Sequence, residues 1–218
     1  MYGTLYLIPC PISDETAPWD VLPAANRAVM DSLDYFIVEN TRSARRFLSK
    51  AGIARPIDTL EFRELNEHTV AGREVEELVK PLVEGLSAGV VSEAGVPGVA
   101  DPGALVVEAC HRHGIRVVPL VGPSSVILAV MASGLNGQSF AFNRRAQSER
   151  QSQLFIEAPY RNVKLMEQLL QTLAPETRLT LAMDITAPGE YIRTLPVREW
   201  RSVRLPEMNR RPAIFIIG

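Results

Sequence analysis

The stretch Ser92-Glu-Ala-Gly-Val-Pro-Gly-Val-Ala-Asp-Pro-Gly103 decides how this chain is organised. It follows an apolar run, Ala88–Val91, and precedes a segment with helical spacing that starts at Ala104. Its three glycines and two prolines neither continue a strand nor start a helix early, so they predict an irregular loop at the carboxyl end of a strand. Open α/β sheets bind ligands at such loops, although the composition also fits an ordinary glycine-rich turn. We call residues 92–103 the glycine loop.

Apolar strands and amphipathic helices alternate on both sides of the glycine loop. Strict alternation of this kind is typical of a parallel sheet with right-handed crossovers. We therefore expect an α/β domain over residues 1–121, with a five-stranded parallel sheet flanked by helices. The predicted strands are 4–8, 35–38, 57–62, 88–91 and 116–121, and the predicted helices are 20–33, 43–50, 74–84 and 104–111.

The pattern changes at Gly122-Pro-Ser-Ser125, where Ser124 or Ser125 is placed to cap a small-residue helix over 126–133. Beyond it, strand-like runs dominate, with one strong helix at 163–173. Runs of strands joined by turns are typical of a mixed or antiparallel sheet. We expect a second, α+β domain over residues 122–218, with a ligand cleft between the domains. Its predicted strands are 139–142, 154–157, 179–184, 191–195 and 213–217.

Charge and cysteine content limit the classes of function. The chain has 23 basic and 25 acidic residues and a net charge of −2. It therefore lacks the overall positive charge with which many proteins bind nucleic acids by neutralising their phosphates. Two clusters, Arg42–Lys50 and Arg144–Arg150, are either local basic faces or solvated surface. Two cysteines without a CxxC pattern indicate a reduced cytoplasmic protein. We expect no membrane partner, because no apolar run approaches the ~18 residues of a span and no signal-peptide pattern opens the chain.

Several familiar catalytic patterns are missing from the sequence. It contains no GxGxxG, no GxxxxGK[ST] and no Gly-x-Ser-x-Gly elbow. His68, His111 and His113 do not have the spacing of a metal site, so we expect no bound metal. Cys10 lies between two prolines without a nearby histidine, and nucleophilic catalysis is not favoured.

Polar or glycine residues instead follow each predicted parallel strand. Because the carboxyl ends of parallel strands meet at one edge of a sheet, these segments are expected to line one cleft. The second domain offers two further turns, 157–161 and 185–190, which either reach the cleft or are simply well-capped turns. The first-domain segments are 9–12, 39–42, 64–67, 92–103 and 122–125.

Five ordered motifs carry a resemblance to a known family. They are Leu5-Tyr-Leu-Ile-Pro-Cys-Pro-Ile12, Val38-Glu-Asn-Thr-Arg42, Val91 with the glycine loop, Val121-Gly-Pro-Ser-Ser125 and Phe155-Ile-Glu-Ala-Pro-Tyr-Arg161. The chain resembles the tetrapyrrole methylase superfamily of S-adenosylmethionine-dependent methyltransferases, and most of all its ribosomal RNA 2′-O-ribose (cytidine) methyltransferase branch. The resemblance implies two α/β domains with S-adenosylmethionine in the cleft between them, and a homodimer.

The same resemblance implies which residues bind the cofactor. The glycine loop would meet the methionine portion through its backbone, Pro11 would lie beside the cofactor, and Pro212 and Ala213 would flank the adenine. The implied cofactor-binding residues are Pro11, Ser92, Glu93, Ala94, Gly95, Val96, Pro97, Gly98, Val99, Ser124, Ser125, Pro212 and Ala213.

The part of the family pattern that concerns the methyl acceptor is less complete. Asn40 replaces the family's aspartate, Arg63-Glu-Leu-Asn-Glu67 lacks both histidines of its counterpart, and Thr186 is followed by Ala187 instead of lysine. The implied activity is methylation of a ribose of ribosomal RNA, with the RNA or the small ribosomal subunit as partner. The alternatives are methylation of a tetrapyrrole or other small metabolite, or cofactor binding without catalysis.

Methyl transfer from a sulfonium is an in-line displacement that depends on positioning of the acceptor. A hydroxyl acceptor must also lose a proton, so a carboxylate at the cleft is a candidate general base. We predict Glu39, Glu67 or Asp101 in this role, with Arg42 orienting the substrate or balancing charge. The alternative is that these residues only cap loops and hold the cleft.

Overall fold

A computed structural model describes residues 1–65, 72–138, 140–142 and 152–218 of the chain. These residues form two compact units, Met1–Pro123 and Ser124–Gly218. Each unit has its own sheet and its own core.

The first unit is built on a five-stranded parallel sheet. Its strands are β1 (Thr4–Ile8), β2 (Tyr35–Val38), β3 (Glu61–Glu64), β4 (Ala88–Val91) and β5 (Arg116–Pro119), in the order β3-β2-β4-β1-β5. All residues of β2 and β4 are buried, as strands with helices on both faces must be. The prediction of a five-stranded parallel sheet is confirmed.

Five helices cover the two faces of this sheet: α1 (Pro18–Val21), α2 (Ala25–Asp31), α3 (Thr41–Ala51), α4 (Arg73–Val83) and α5 (Gly103–His113). On one face, Leu78 of α4 and Val106 of α5 pack with Ile37 and Val90. On the other face, α3 packs against Phe36 and neighbouring strand residues. Alternate side chains of each strand therefore enter separate cores.

Three predicted elements of this unit differ from the structure. The single helix expected over 20–33 is divided into α1 and α2, because Leu22 takes an extended conformation (φ −102°, ψ 137°) before Pro23, as residues preceding proline favour. The strand expected over 57–62 begins only at Glu61, after a 3₁₀ turn over Ile57–Thr59. Pairing of Tyr35 with Glu61 sets where β3 starts. The last strand, β5, also ends at Pro119, two residues before its predicted end.

Strand order creates one crevice in the first unit. The chain leaves β2 for β3 at one edge of the sheet, whereas it leaves the adjacent β4 for β5 at the other edge. The connecting helices α3 and α5 accordingly pack on opposite faces. The carboxyl ends of β2 and β4 therefore flank a topological switch point, where open α/β sheets bind their ligands.

The second unit has a mixed five-stranded sheet, as predicted. Its strands are β6 (Phe140–Phe142), β7 (Ser152–Ile156), β8 (Arg178–Met183), β9 (Tyr191–Pro196) and β10 (Ala213–Ile217), in the order β6-β7-β10-β8-β9. Among the described strands of this unit, β6 and β7 pair in parallel and the other pairs are antiparallel. Its helices are α6 (Ser125–Ser133), α7 (Asn162–Thr172) and α8 (Val197–Trp200). Helices α6 and α7 pack against opposite faces of the sheet. Residue 139, where the first of these strands was expected to begin, lies outside the described residues.

Candidate active site

The crevice between β2 and β4 contains a small, open pocket. Its floor consists of buried apolar residues of the two strands, and its rim carries two carboxyl groups and a serine. A polar rim above an apolar floor is typical of ligand sites. The lining residues are Ile37, Val38, Glu39, Leu65, Val90, Val91, Ser92, Asp101 and Gly103.

The glycine loop is built around the carboxylate of Asp101. Asp101 Oδ1 accepts hydrogen bonds from the backbone N–H groups of Gly98 and Gly103, each over 2.7 Å. Gly95 and Gly98 have φ values of 69° and 82°, which glycine adopts without strain. Ala100 lies in the same left-handed region (φ 62°) without that freedom. The loop is thus a closed, internally bonded structure.

The end of β1 is bonded to the glycine loop. The backbone N–H of Cys10 donates to the Gly95 carbonyl over 2.8 Å, and the Cys10 thiol donates to the Ser92 carbonyl over 3.4 Å. Burial, followed by the charges of Glu39 and Asp14, raises the pKa of the Cys10 thiol well above its usual range. The thiol therefore stays protonated and acts as a donor within the structure.

The segment after β5 packs against the same loops. A Cβ atom added at Gly122 would overlap the ring of Pro9, and one added at Gly95 would lie 3.2 Å from the Pro123 carbonyl oxygen. Glycine is therefore required at position 122 by close approach of the chain. The predicted segments 9–12, 92–103 and 122–123 do meet at this edge of the first unit.

Glu39 follows β2 directly and lies on the rim of the pocket. Its Oε1 atom accepts a hydrogen bond from the backbone N–H of Glu93 over 3.2 Å. Burial raises the pKa of Glu39; the hydrogen bond from Glu93 opposes this shift, and the charges of Asp101 and Glu93 add to it. Burial also raises the pKa of Asp101, against its two backbone hydrogen bonds. The pocket therefore presents two carboxyl groups that hold protons more strongly than usual.

Asn40, which replaces the aspartate of the family pattern, caps helix α3. Asn40 Oδ1 accepts from the Ser43 backbone N–H over 3.1 Å and caps the helix. Ser43 Oγ then donates to Glu93 Oε1 over 3.2 Å. Ser43 is not among the predicted site residues, because its bond to Glu93 joins segments that are distant in sequence.

Glu64, at the end of β3, also holds this turn. Its Oε1 atom accepts from the Thr41 backbone N–H over 3.0 Å, and hydrogen bonds from Thr41 lower the pKa of Glu64. The second predicted base of this region, Glu67, lies outside the described residues, as do His68 and the cluster Arg144–Arg150.

Arg42 is exposed on the first turn of α3 and bonds to no residue in the described ranges. Its neighbours on the helix are paired: Arg45 with Asp58, and Arg46 with Asp14 over 3.0 Å. Most of the basic cluster is thus a solvated face with ion pairs. The guanidinium of Arg42 is the part of it that is available to a ligand.

The predicted cofactor residues of the second unit lie at two places within it. Ser124 caps α6 by accepting from the Ile127 N–H over 3.5 Å, and Ser125 is the first residue of that helix. Ala213 begins β10, and the Pro212 carbonyl accepts from the Asp184 N–H over 3.3 Å.

Two broader properties concern the described residues alone. Over these ranges no group of three or more His, Cys, Asp or Glu side chains is placed to hold a metal ion. The helices described are also too short or too polar for any of them to cross a membrane. His113, at the end of α5, bonds to Glu76 over 2.7 Å on the surface.

Comparison with known proteins identifies relatives along almost the whole chain. No family model matches it. The ribosomal RNA small subunit methyltransferase I of Vibrio cholerae is 31% identical over 227 residues, which cover 98% of this chain and 75% of the relative. The protein of the same name from Escherichia coli O157:H7 is 29% identical, with 99% and 77% covered. The chain thus spans about three quarters of the length of these relatives.

Solved structures share the fold at lower sequence identity. A uroporphyrin-III-C-methyltransferase from Thermus thermophilus has a TM-score of 0.63 at 22% identity, covering 100% of this chain and 93% of that one. A Thermus thermophilus uroporphyrin-III C-methyl transferase complexed with S-adenyl homocysteine has a TM-score of 0.56 at 17% identity, covering 99% and 92%. The predicted tetrapyrrole methylase fold is confirmed. The relatives confirm the methyltransferase prediction at the level of the family, and this chain belongs to the family of ribosomal RNA small subunit methyltransferase I.

Proposed function

We propose that this protein transfers a methyl group from S-adenosylmethionine to a ribose 2′-oxygen of small-subunit ribosomal RNA. The observation that carries the proposal is the position of Glu39 in a chain of this family. Its carboxyl group lies at the switch point between β2 and β4, has a raised pKa, and accepts a hydrogen bond from the glycine loop. Transfer to a hydroxyl oxygen needs an acceptor for its proton, and Glu39 meets that need.

The residues of the first unit fit the cofactor. A Cβ atom at Gly98 would meet nothing within 4 Å, so the loop backbone faces open space there. Ala94 and Val99 are exposed on the same loop, whereas Gly95 and Pro97 are buried and hold it in place. A rigid loop with accessible backbone groups suits the methionine portion of S-adenosylmethionine, and Pro11 adjoins it. From the resemblance, we assign Ser124, Ser125, Pro212 and Ala213 as the contacts from the second unit.

When bound, the cofactor supplies a methyl group that its sulfonium already activates. The protein therefore has two tasks, which are alignment of the acceptor oxygen and removal of its proton. The Glu93 N–H fixes one oxygen of Glu39, and the raised pKa makes the carboxylate a stronger base than a solvated glutamate. Asp101 has the different role of closing the loop, since one of its oxygens already accepts two backbone hydrogen bonds.

Recognition of RNA rests on local charge, because the net charge of the chain is −2. Arg42 lies on the first turn of α3, where the helix dipole also favours a phosphate. Its guanidinium forms no ion pair with the acidic side chains of the described residues. We assign Arg42 to a phosphate near the target ribose.

The decisive test is transfer of tritiated methyl groups from S-adenosylmethionine to small ribosomal subunits from a strain that lacks this modification. Nuclease digestion and mass spectrometry should identify a 2′-O-methylated nucleoside. A base-methylated nucleoside would refute the ribose assignment. Transfer to a tetrapyrrole but not to subunits, or cofactor binding without transfer, would support the alternatives named above.

Two further properties belong to this proposal. A substrate on the ribosome requires a cytoplasmic enzyme, and the resemblance implies a homodimer. Light scattering of the purified chain, compared with the 24.1 kDa mass of one copy, tests the second property directly.

A further inference from the structure

We infer that Arg211 is a positioning residue for the cofactor: it ties together three segments at one end of the second sheet and so presets Pro212 and Ala213. The inference rests on the proposed function, in which these two residues flank the adenine. Arg211 is absent from the motifs that indicated the family. The contacts that assign this role lie within the second unit.

Strand pairing brings the three segments to the same end of the sheet. Ala213 pairs with Met183, and Ile214 pairs with Ile156, so β8 and β7 both end beside the start of β10. The chain after β7, the turn after β8 and the approach to β10 therefore converge. These segments are residues 157–161, 184–190 and 207–212.

Arg211 bonds to the second and third of these segments and to Asn162, the residue that follows the first. Its Nε donates to Asp184 Oδ2 over 2.6 Å, and its Nη2 donates to the Gly189 carbonyl over 2.7 Å. Its Nη1 donates to the Glu207 carbonyl over 3.1 Å. The Arg211 carbonyl accepts from Nδ2 of Asn162, a fully buried side chain that begins α7 directly after the first segment. Four hydrogen bonds of Arg211 thus join three parts of the chain.

The ion pair between Arg211 and Asp184 is partly shielded from solvent, which strengthens it. The side chains of Arg211 and Asp184 are only 25% and 22% exposed. A partly buried, charge-assisted contact of this kind is stronger than a pair in open solvent. Asp184 also donates its own N–H to the Pro212 carbonyl, next to the predicted adenine contact.

Backbone strain marks the same segments. Asp184, Thr186 and Arg210 have φ values of 46°, 69° and 63°, which non-glycine residues adopt only when their surroundings enforce them. Among described residues, the one other non-glycine residue with positive φ is Ala100, in the glycine loop. Strain is therefore concentrated in the loops to which we assign the cofactor, as expected of a preorganised site.

The test is isothermal titration of the 218-residue chain with S-adenosylmethionine. We expect Arg211→Gln to raise the Kd about tenfold, because it removes the charge-assisted hydrogen bond to Asp184 together with two bonds to carbonyls. Arg211→Lys and Asp184→Asn should each lie between this variant and the unmodified protein, since Asp184→Asn leaves the two carbonyl contacts in place. The double variant should bind no more weakly than Arg211→Gln, because that change already removes the contact with Asp184. With ribosomal subunits as substrate, KM for the cofactor should rise while kcat at saturating cofactor stays constant.

Arg178→Gln is the matched control. Arg178 begins β8 at the opposite end of the strand from Asp184 and also donates to a carbonyl, that of Gly134. This variant should bind the cofactor as the unmodified protein does. If Arg211→Gln fails to fold, Asp184→Asn and Arg211→Lys carry the test.

An unchanged Kd in Arg211→Gln and Asp184→Asn would overturn the inference, as would equal weakening by Arg178→Gln. Failure of the unmodified protein to bind S-adenosylmethionine is a different result. It would refute the proposed function itself, and with it the role of Arg211.

Discussion

The backbone N–H of Glu93 donates a hydrogen bond to the carboxylate of Glu39 over 3.2 Å. The two residues are 54 positions apart in sequence, and the contact joins the glycine loop to the end of β2. One interaction thereby positions both the loop assigned to the methyl donor and the carboxylate assigned to the acceptor.

Glu39→Gln should lower turnover by about 10²–10⁴-fold, the usual contribution of a general base. Glutamine keeps the acceptor for the Glu93 N–H but cannot take a proton, so the Kd for S-adenosylmethionine should not change. Single-turnover methyl transfer to ribosomal subunits measures the effect. Glu64→Gln is the control, since that carboxylate holds the first turn of α3. Full turnover in Glu39→Gln would show that another group, or none, removes the proton.

The same substitution should stabilise the protein at neutral pH. Because the pKa of Glu39 is raised in the folded state, this residue contributes stability at low pH that is lost as the pH rises through the folded pKa. Above that value the fold holds a partly buried charge, which glutamine removes. Thermal unfolding should give a higher Tm for Glu39→Gln at pH 7, and equal Tm values below the unfolded pKa of about 4.3. A lower Tm at pH 7 would contradict the assigned pKa shift.

Glu93→Gln should move the acid limb of the pH–rate profile to lower pH. The charge of Glu93 raises the pKa of Glu39, whereas its backbone N–H lowers it. The substitution removes the charge and keeps the N–H, so Glu39 should ionise more readily. The pH dependence of kcat measures this shift. Glu108→Gln is the control, because Glu108 lies on α5 and not in the glycine loop. A shift to higher pH would show that Glu93 acts on Glu39 mainly through its side-chain bond to Ser43.

Gly122→Ala should destabilise the first unit by about 1–3 kcal/mol, the usual cost of forcing an extra methyl group into a packed site. The new Cβ would overlap the ring of Pro9, which cannot rotate away. Gly137→Ala is the matched control, since its nearest neighbour would be 3.8 Å away. Urea unfolding followed by the signal of Trp19, in the first unit, measures the difference. Equal midpoints for the two variants would refute the close approach.

Arg42→Ala should weaken binding of ribosomal RNA and leave cofactor affinity intact. Loss of one phosphate contact should reduce the slope of log K against log salt by about 1. Filter binding over a range of salt concentrations measures that slope. Arg112→Ala is the control, because Arg112 is paired with Glu76 and Glu108 on the surface. An unchanged slope in Arg42→Ala would remove Arg42 from the RNA interface.

The sequence predicted most of the elements because their causes are local. Val38 and Val91 end runs of buried β-prone residues, and Gly95 and Gly98 supply a loop conformation that other residues resist. The division between α1 and α2 was missed for a local reason too. Apolar spacing continues across Leu22, whereas Pro23 prevents the helix from doing so.

Which side chains meet was decided by the tertiary structure. That Glu39 lies beside Glu93 depends on β2 and β4 being neighbours, and that Arg211 reaches Asp184 depends on β8 pairing with β10. Strand order and register arise from the packing of the whole core, and no short stretch of sequence contains that information. By itself the sequence determined most of the elements, the fold class and the loop assigned to the methyl donor. The burial that raises the pKa of Glu39, and the contacts of Arg211 with three segments, exist only in the folded chain, because they require residues distant in sequence to exclude water together.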